Sequence, residues 1–514
     1  MSNNAYGGWT PLRNALRKLD LNDTLYVIRA YAAFRTLRTK TPFPPDVEVH
    51  PSVYSDERLI LPWEMEILAR EAIIVCSRQP STSYTARKWN TFSSLVNKLR
   101  EVEDYISRLS VDETTILQEV TVRLAHLQFK YQTELPSKAI LVRYSRIFGH
   151  AAVEPIVQTK IDLSPKQLFT IGAGLWMKYT QHLGMNYPLD ELALPGITHA
   201  DYDRFMQVYS LPMREMKQHL TAERQLDDTF MYQFYALQSH PLILTELNGR
   251  LAHICPMPTL LFWRITSGLY YDLVRERGFD QAFGISFQDY VGQMLAKTFD
   301  GGAVTVYPEE PDTRPKRADW IIDQPTAFML VECKTKRMTI GARTVIGDDD
   351  ENELHAQLEV IGEAVVQSYQ ALEAYKNGEY RPQQYPYEPA KCPFICVVTL
   401  ENWRLMGPQL EKLREIVKER LLHLKLDSGL MQQAPFVICS VNEMEEFAYL
   451  LKTNELTGVV RSYWDDPEKS SWAFISYLHH RYKNELSSYT YVFSDELANV
   501  FTIQIDPQTE APLT

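Results

Sequence analysis

The stretch that decides the fold runs from Arg317 to Arg337 and reads RADWIIDQPTAFMLVECKTKR. Two apolar runs, WIID and AFMLVECK, flank Gln324-Pro325 and predict two strands joined by a tight turn. Asp319, Glu332 and Lys334 are the charged residues of interest at the ends of these strands. Because strands of a covered sheet are normally apolar, these charges indicate a chemical role rather than packing.

The alternation of side chains along AFMLVECK places Glu332 and Lys334 on one face of the strand and Cys333 on the other. A hairpin between residues 323 and 327 brings Asp319 beside Glu332, and Asp323 is the alternative acid if the register differs. Two carboxylates and the main-chain carbonyl of Cys333 are hard oxygen ligands suited to Mg²⁺, for which Mn²⁺ can substitute. A lysine beside such an ion can orient or deprotonate a water molecule, or stabilise charge developing on a phosphate.

This pattern resembles the D…ExK signature of the PD-(D/E)XK nuclease superfamily, with Asp319, Glu332 and Lys334 in its positions. The resemblance implies that the Asp and the Glu bind the metal and that the Lys assists phosphodiester hydrolysis. It also implies a glutamine near the site, on the helix that follows. Gln367 and Gln370 both lie in VVQSYQ, and we expect Gln367 within about 10 Å of Lys334.

The helix that precedes the motif departs from the pattern of related enzymes. Those enzymes often carry a Glu in a stretch like FExYV, whereas this chain reads Phe287-Gln288-Asp289-Tyr290-Val291. The acid is therefore replaced by Gln288 or shifted to Asp289. This departure favours an alternative function, in which a nuclease-like fold serves as a scaffold or as a nucleic-acid-binding subunit. A structural adaptor that binds a partner protein is a third hypothesis.

Periodicity along the rest of the chain predicts an α+β or α/β protein, with a helical N-terminal half followed by a mixed sheet flanked by helices. Residues 1–235 are predicted as helical. The predicted features are an apolar stripe at Leu99, Val102, Ile106 and Leu109, a capping box at Ser110-Val-Asp-Glu113, a helix opened by Ser164-Pro165 and closed by Gly184, and a helix opened by Thr198. Residues 236–280 are predicted as a hairpin around Asn248-Gly249 and a helix over Thr259 to Arg277. Residues 281–455 are predicted as the nuclease-like domain, and residues 456–514 as a C-terminal extension with a helix and strands at YTYVF and VFTIQI.

Composition limits the class of protein. The 514-residue chain has no apolar run of about 20 residues, so no membrane span is expected. The N-terminus lacks the layout of a signal peptide, and the six cysteines are typical of core thiols, so we expect a cytoplasmic protein. Residues 1–280 hold 31 Lys and Arg against 30 Asp and Glu, so the net charge of −12 comes from the other half, which contains the motif.

These observations predict a Mg²⁺-dependent nuclease acting on nucleic acid, with DNA as the expected substrate. Free-standing nucleases with large helical regions resemble restriction or phage-defence effectors, which suggests a role in antiviral defence. Residues 1–150 are mildly basic, with 20 Lys and Arg against 16 Asp and Glu. The helical half is therefore expected to act in recognition or regulation, because duplex affinity is largely phosphate neutralisation. Alternatively, it only buries the flank of the core or forms a homo-oligomer.

Overall fold

The computed structural model describes residues 6–37, 43–77, 84–109, 128–188, 193–227, 229–309, 318–339, 348–379 and 385–496. The protein is α+β, with a helical N-terminal half and two mixed sheets. It divides into two compact units, Met1–Phe279 with Glu496–Thr514, and Asp280–Asp495. No helix in the described ranges is both long and apolar enough to cross a membrane.

The first unit consists mainly of helices that bury apolar faces. The longer helices are α1 Tyr6–Leu16, α2 Leu21–Thr36, α3 Pro62–Val75, α4 Trp89–Leu109, α5 Lys138–Phe148, α6 Glu154–Ile161, α7 Pro165–Gln181, α8 His199–Tyr209, α9 Met213–Glu223 and α10 Pro258–Ile265. In α4 the predicted stripe is confirmed, since Leu99, Val102 and Ile106 are all buried. The predicted capping box at Ser110 and the helix after it lie outside the described residues.

The predicted starts of α7 and α8 are confirmed by their caps. The Ser164 hydroxyl accepts a hydrogen bond from the amide of Gln167, and the Thr198 hydroxyl accepts one from the amide of Asp201. Each cap satisfies an amide in the first turn that has no partner inside the helix.

The first unit also contains a four-stranded sheet in the order β1-β4-β3-β2, formed by β1 Gly184–Asn186, β2 Ser210–Pro212, β3 Leu242–Leu247 and β4 Arg250–Ile254. The hairpin between β3 and β4 is the predicted one. Asn248 and Gly249 turn with φ angles of 52° and 76°, the left-handed conformation that a two-residue hairpin loop requires. The region over residues 1–235, predicted as helical, thus adds two short strands to this sheet.

Two predicted helix ends in the first unit are wrong. The helix opened by Ser164 ends at Gln181, and Gly184 begins β1 instead of closing the helix. Glycine is needed there because a Cβ atom would lie 2.7 Å from Leu247 Cδ2 and 2.9 Å from Ile254 Cγ2. The helix predicted over Thr259 to Arg277 breaks at Thr266, whose φ and ψ are −103° and −101°.

Side-chain bonds explain the break at Thr266. The Arg264 guanidinium donates to the carbonyl of Gly268 at 3.0 Å and also pairs with Asp272, which holds the chain in a tighter turn. Short helical segments follow at Ser267–Leu269 and Tyr270–Leu273. Hydrophobic periodicity does not report such a bond, because it carries no information on side chains that bind the backbone.

The second unit contains the sheet that carries the motif. Its strands are β5 Thr305–Pro308, β6 Trp320–Asp323, β7 Ala327–Lys334, β8 Cys392–Thr399 and β9 Phe436–Ser440, in the order β5-β6-β7-β8-β9. The first three strands are antiparallel, and β8 and β9 then run parallel to β7. The longer helices are α11 Phe279–Phe299, α12 Asp348–Lys376, α13 Pro408–His423, α14 Val441–Leu451 and α15 Phe474–Arg481.

The C-terminal extension agrees with the prediction only in its helix, α15. YTYVF, predicted as a strand, is irregular, and its rings pack instead against α11. The ring of Phe493 lies 5.9 Å from that of Tyr290, and the Tyr491 hydroxyl lies 2.9 Å from the Tyr290 hydroxyl. An aromatic-rich run favours a strand only where a sheet edge is available to pair with it. The run VFTIQI lies outside the described residues.

Candidate active site

One face of β7 presents the motif toward α12. The Phe328 ring packs edge-on against Tyr375 of α12 at 5.9 Å. Further along the same strand face, Lys334 Nζ lies 3.4 Å from Gln367 Oε1, also on α12. With a side-chain period of two, Glu332 belongs to this face, as predicted. The expected approach of Gln367 to Lys334 is therefore present.

Asp319 lies immediately before β6 and is bound to the end of β7. Regular pairing of β6 with β7 ends at Trp320 opposite Val331. Beyond that pair, Asp319 Oδ2 accepts a hydrogen bond from the amide of Cys333 at 2.6 Å. Because the N–H and C=O of a strand residue point to the same neighbouring strand, the carbonyl of Cys333 faces this edge as well.

The acidic pair at this edge is electrostatically unfavourable as it stands. Burial, and then the negative charge of Glu332, raise the pKa of Asp319 to about 7, against opposing effects of the Cys333 amide and Lys334. Lys334 Nζ donates to Glu332 Oε1 at 2.7 Å. Two carboxylates and one ammonium leave an excess negative charge. Carboxyl groups perturbed in this way are typical of functional sites.

Only one orientation of the Gln367 side-chain amide satisfies both of its hydrogen-bond partners. Its oxygen accepts from Lys334, and its nitrogen donates to Glu363 Oε1 at 3.2 Å. Lysine only donates and an ionised glutamate only accepts, so the reverse orientation would lose both bonds. Glu363 therefore fixes the side chain that holds Lys334. Gln370 has no contact with Lys334 among the hydrogen bonds of the described residues, and it lines a groove with Gln367, Arg420 and His423. Val366 and Ala371, the neighbours of the two glutamines in the chain, are buried.

Trp320 connects Asp319 to the leading helix. Its indole nitrogen donates to the carbonyl of Gln288 in α11 at 3.1 Å. The ring also occupies the space beside Gly292, where a Cβ atom would lie 2.0 Å from Trp320 Cζ2. The Trp320 ring fills the notch beside Gly292, and this packing positions the adjacent Asp319. The periodicity of α11 did not reveal this contact.

The alternative acid, Asp323, lies at the other end of the hairpin, opposite Phe328. Its Oδ1 accepts from Tyr385 Oη at 2.6 Å and from Lys391 Nζ at 2.7 Å. It is thus held in an ion pair away from Glu332, and the register favours Asp319.

The cations that follow the motif differ from each other. Arg337 is buried and paired with Glu401. Lys336 is exposed. Of these two cations, Lys336 is the one that is accessible to a phosphate.

The oxygen ligands at this edge fit a magnesium ion. The described residues contain no group of three or more His, Cys, Asp or Glu side chains placed to hold a metal. Magnesium, however, is usually held by one or two carboxylates and keeps several waters. Asp319, Glu332 and the Cys333 carbonyl supply such a set, and their excess negative charge would be offset by a divalent cation.

Comparison with known proteins gives no match to a protein-family model, to a curated protein or to a solved structure.

A second charged cluster, which sequence reasoning missed, lies in the first unit on α3. Glu71 accepts from Arg70 Nε at 2.9 Å, from Arg224 at 3.2 Å and from the Trp9 indole at 2.8 Å. Arg70 and Glu71 are almost completely buried. The only sequence signal was the unusual charge density of WEMEILARE, which is also typical of a solvated helix face.

The neighbouring Glu66 of α3 accepts from the Tyr235 hydroxyl at 2.7 Å, from the Tyr131 hydroxyl and from Gln238. Burial raises the pKa of both tyrosines well above the usual value, so both hydroxyls remain donors. Each carboxylate of this α3 cluster is thus surrounded by donors.

Proposed function

We propose that the chain is a Mg²⁺-dependent nuclease that hydrolyses phosphodiester bonds in DNA. The observation that carries the proposal is the convergence of Asp319, Glu332, Lys334 and Gln367 at one end of β7. The order of elements supports it, because an antiparallel hairpin, a crossover helix and a parallel strand are what the resemblance to restriction-endonuclease-like folds implies.

The roles of the residues follow from their positions. Asp319, Glu332 and the Cys333 carbonyl would hold Mg²⁺, which when bound supplies Lewis-acid stabilisation of phosphate oxygens. Lys334 directs its N–H groups to the same edge and would stabilise negative charge that develops on the phosphate. Gln367 holds the ammonium of Lys334 in place, and Glu363 holds Gln367. Exposed Lys336 would bind a flanking phosphate.

The test is cleavage of plasmid DNA, single-stranded DNA and RNA by the full chain, with Mg²⁺, Mn²⁺ or EDTA. We expect metal-dependent cleavage that falls at least about 100-fold in Asp319→Asn and Lys334→Met, the range for loss of a charge-stabilising group. Lys418→Met is the matched control, since it removes an exposed lysine of α13 that has no part in the proposed site. At saturating substrate we expect it to stay within about threefold of the wild type.

Equal rates in the wild type and Lys334→Met would contradict the site assignment. Soaking a crystal in Mn²⁺ provides a second check, because anomalous density is expected between Asp319, Glu332 and the Cys333 carbonyl. The role in antiviral defence and the cytoplasmic location stay predictions.

The second candidate function is a nuclease-like scaffold without activity. It is favoured by Gln288, which stands in α11 where related enzymes carry an acid. Absence of cleavage by the wild type on every substrate, with DNA binding retained, would support this candidate.

A further inference from the structure

A groove in the first unit has the size and lining of a small-molecule site. Its volume is about 680 Å³, within the range of roughly 300–1,000 Å³ for ligand pockets. It lies between the start of α2, the end of α3 and one face of α9. None of its described lining residues belongs to the candidate active site or to the α3 cluster.

The floor of the groove is apolar and uncharged. Leu21, Ile73, Cys76 and Met213 line it, and all four are buried. Burial raises the pKa of Cys76 to about 12, so the thiol is neutral at physiological pH. Such a floor suits an aliphatic or aromatic body, because removing apolar surface from water is favourable.

The rim of the groove is cationic. Arg214, Lys217, Gln218 and Thr221 of α9 line it, and their spacing places them on one helix face. Neither Arg214 nor Lys217 has an ion-pair partner within the described part of the chain. Lys217 and Cys76 line the same groove, and the charge of Lys217 acts on the thiol.

None of the described residues that line the groove is acidic, so no carboxylate of the lining pairs with the cations of the rim. Asp20, whose charge also acts on Cys76, is occupied as the N-cap of α2 and accepts from the Asp23 amide at 2.8 Å. An apolar floor beside two available cations selects a ligand that carries both an apolar body and a negative group.

We propose that this groove binds an organic anion of nucleotide size. Its apolar or aromatic body lies on the floor, and its phosphate, sulfonate or carboxylate group lies between Arg214 and Lys217. A charged hydrogen bond from arginine to such a group is stronger than a neutral one, so the negative group contributes a large share of the affinity. A neutral molecule of the same shape gains only the apolar contacts with the floor of the groove.

The test uses two fluorescent probes that differ in charge. The sulfonated probe is 8-anilinonaphthalene-1-sulfonate, and the neutral probe is N-phenyl-1-naphthylamine. We expect saturable binding of the sulfonated probe to the full chain, weakened about tenfold or more in the double variant Arg214→Ala/Lys217→Ala. The neutral probe should bind the wild type and the double variant equally.

Lys178→Ala is the matched control, because Lys178 is an exposed lysine on α7 that does not line the groove. It should bind both probes as the wild type does, and thermal unfolding of each variant confirms that it is folded. Equal affinity of the double variant and the wild type for the sulfonated probe overturns the inference. So does a lack of saturable binding to the wild type.

Displacement of the sulfonated probe identifies the source of the anion. Displacement by AMP but not by adenosine supports a nucleotide ligand. Displacement by decanoate but not by decanol supports an amphiphilic carboxylate. Displacement by neither anion overturns the assignment of an organic anion.

Discussion

The α3 cluster and the β7 edge both concentrate charge, but they treat their carboxylates differently. In the α3 cluster, Glu66 and Glu71 are buried and surrounded by arginine, tyrosine, tryptophan and glutamine donors. At the β7 edge, Asp319 and Glu332 share one lysine, and the pKa of Asp319 is raised. A carboxylate whose oxygens are surrounded by hydrogen-bond donors stabilises a fold. Two carboxylates that repel each other at a sheet edge are instead suited to hold a cation. The difference distinguishes a structural cluster from a candidate site.

The largest effect on stability is expected from removing a carboxylate of the α3 cluster. Glu71→Ala leaves Arg70 and Arg224 without their shared carboxylate, and removing one partner of a buried pair costs about 3–5 kcal/mol of unfolding free energy. The melting temperature should fall by at least about 6 °C. Glu101→Ala, on an exposed position of α4, is the control and should change it little. A shift equal to that of the control would show that the α3 cluster does not stabilise the unit.

The next effect concerns the notch that positions Asp319. Gly292→Ala places a methyl group where the Trp320 ring lies, and overpacking of this kind costs about 1–3 kcal/mol. If the proposed function is correct, cleavage should fall about 10-fold to 100-fold, because a small displacement of a metal ligand misaligns the site. Gly284→Ala, in the same helix with open space around it, is the control. If Gly292→Ala cleaves at the wild-type rate, the packing of Trp320 against Gly292 does not position the site.

A smaller and opposite effect is expected from neutralising the β7 edge. Asp319→Asn keeps an oxygen for the Cys333 amide but removes the repulsion by Glu332. In EDTA the variant should be more stable than the wild type by about 1–2 kcal/mol, a fraction of the interaction between close charges at an effective dielectric constant of about 20. Magnesium should stabilise the wild type and not the variant, because only the wild type gains from binding. Calorimetry with and without Mg²⁺ measures both effects, and lower stability of the variant in EDTA would contradict the repulsion.

The smallest effect is expected at Glu363. Glu363→Gln replaces an obligate acceptor by an amide that can also donate, so the orientation of Gln367 is no longer fixed. The loss of one exposed hydrogen bond predicts a decrease in cleavage rate of about twofold to tenfold. Glu359→Gln, one turn earlier on α12, is the control. Equal rates in the two variants would exclude a positioning role for Glu363.

The sequence predicted most of what a local pattern determines. Two apolar runs predicted β6 and β7, and Gln324-Pro325 between them predicted the hairpin. The face of β7 that carries Glu332 and Lys334 follows from the period of two. These features depend on neighbours in the chain, which a sequence lists directly.

What the sequence could not predict depends on contacts between distant residues. The Trp320 contact with Gly292 and the α3 cluster each join segments that no periodicity relates. The break at Thr266 and the irregular YTYVF segment were mispredicted because a side-chain bond and aromatic packing against Tyr290 overrode local preference. Burial of Arg337 against Glu401 is a further case, since a basic residue after a strand is usually solvated.

The topology of the β7 edge also has a consequence for the order of folding. Asp319 and Glu332 are joined by a short hairpin, a structure that forms in roughly 1–10 μs. Pairing of β7 with β8 must instead close a much longer segment that includes α12. The acidic pair should therefore assemble before Gln367 reaches Lys334. In pulse-labelled hydrogen exchange during refolding, we expect the Cys333 amide to be protected earlier than that of Cys396 in β8, which faces β7, and simultaneous protection would contradict this order.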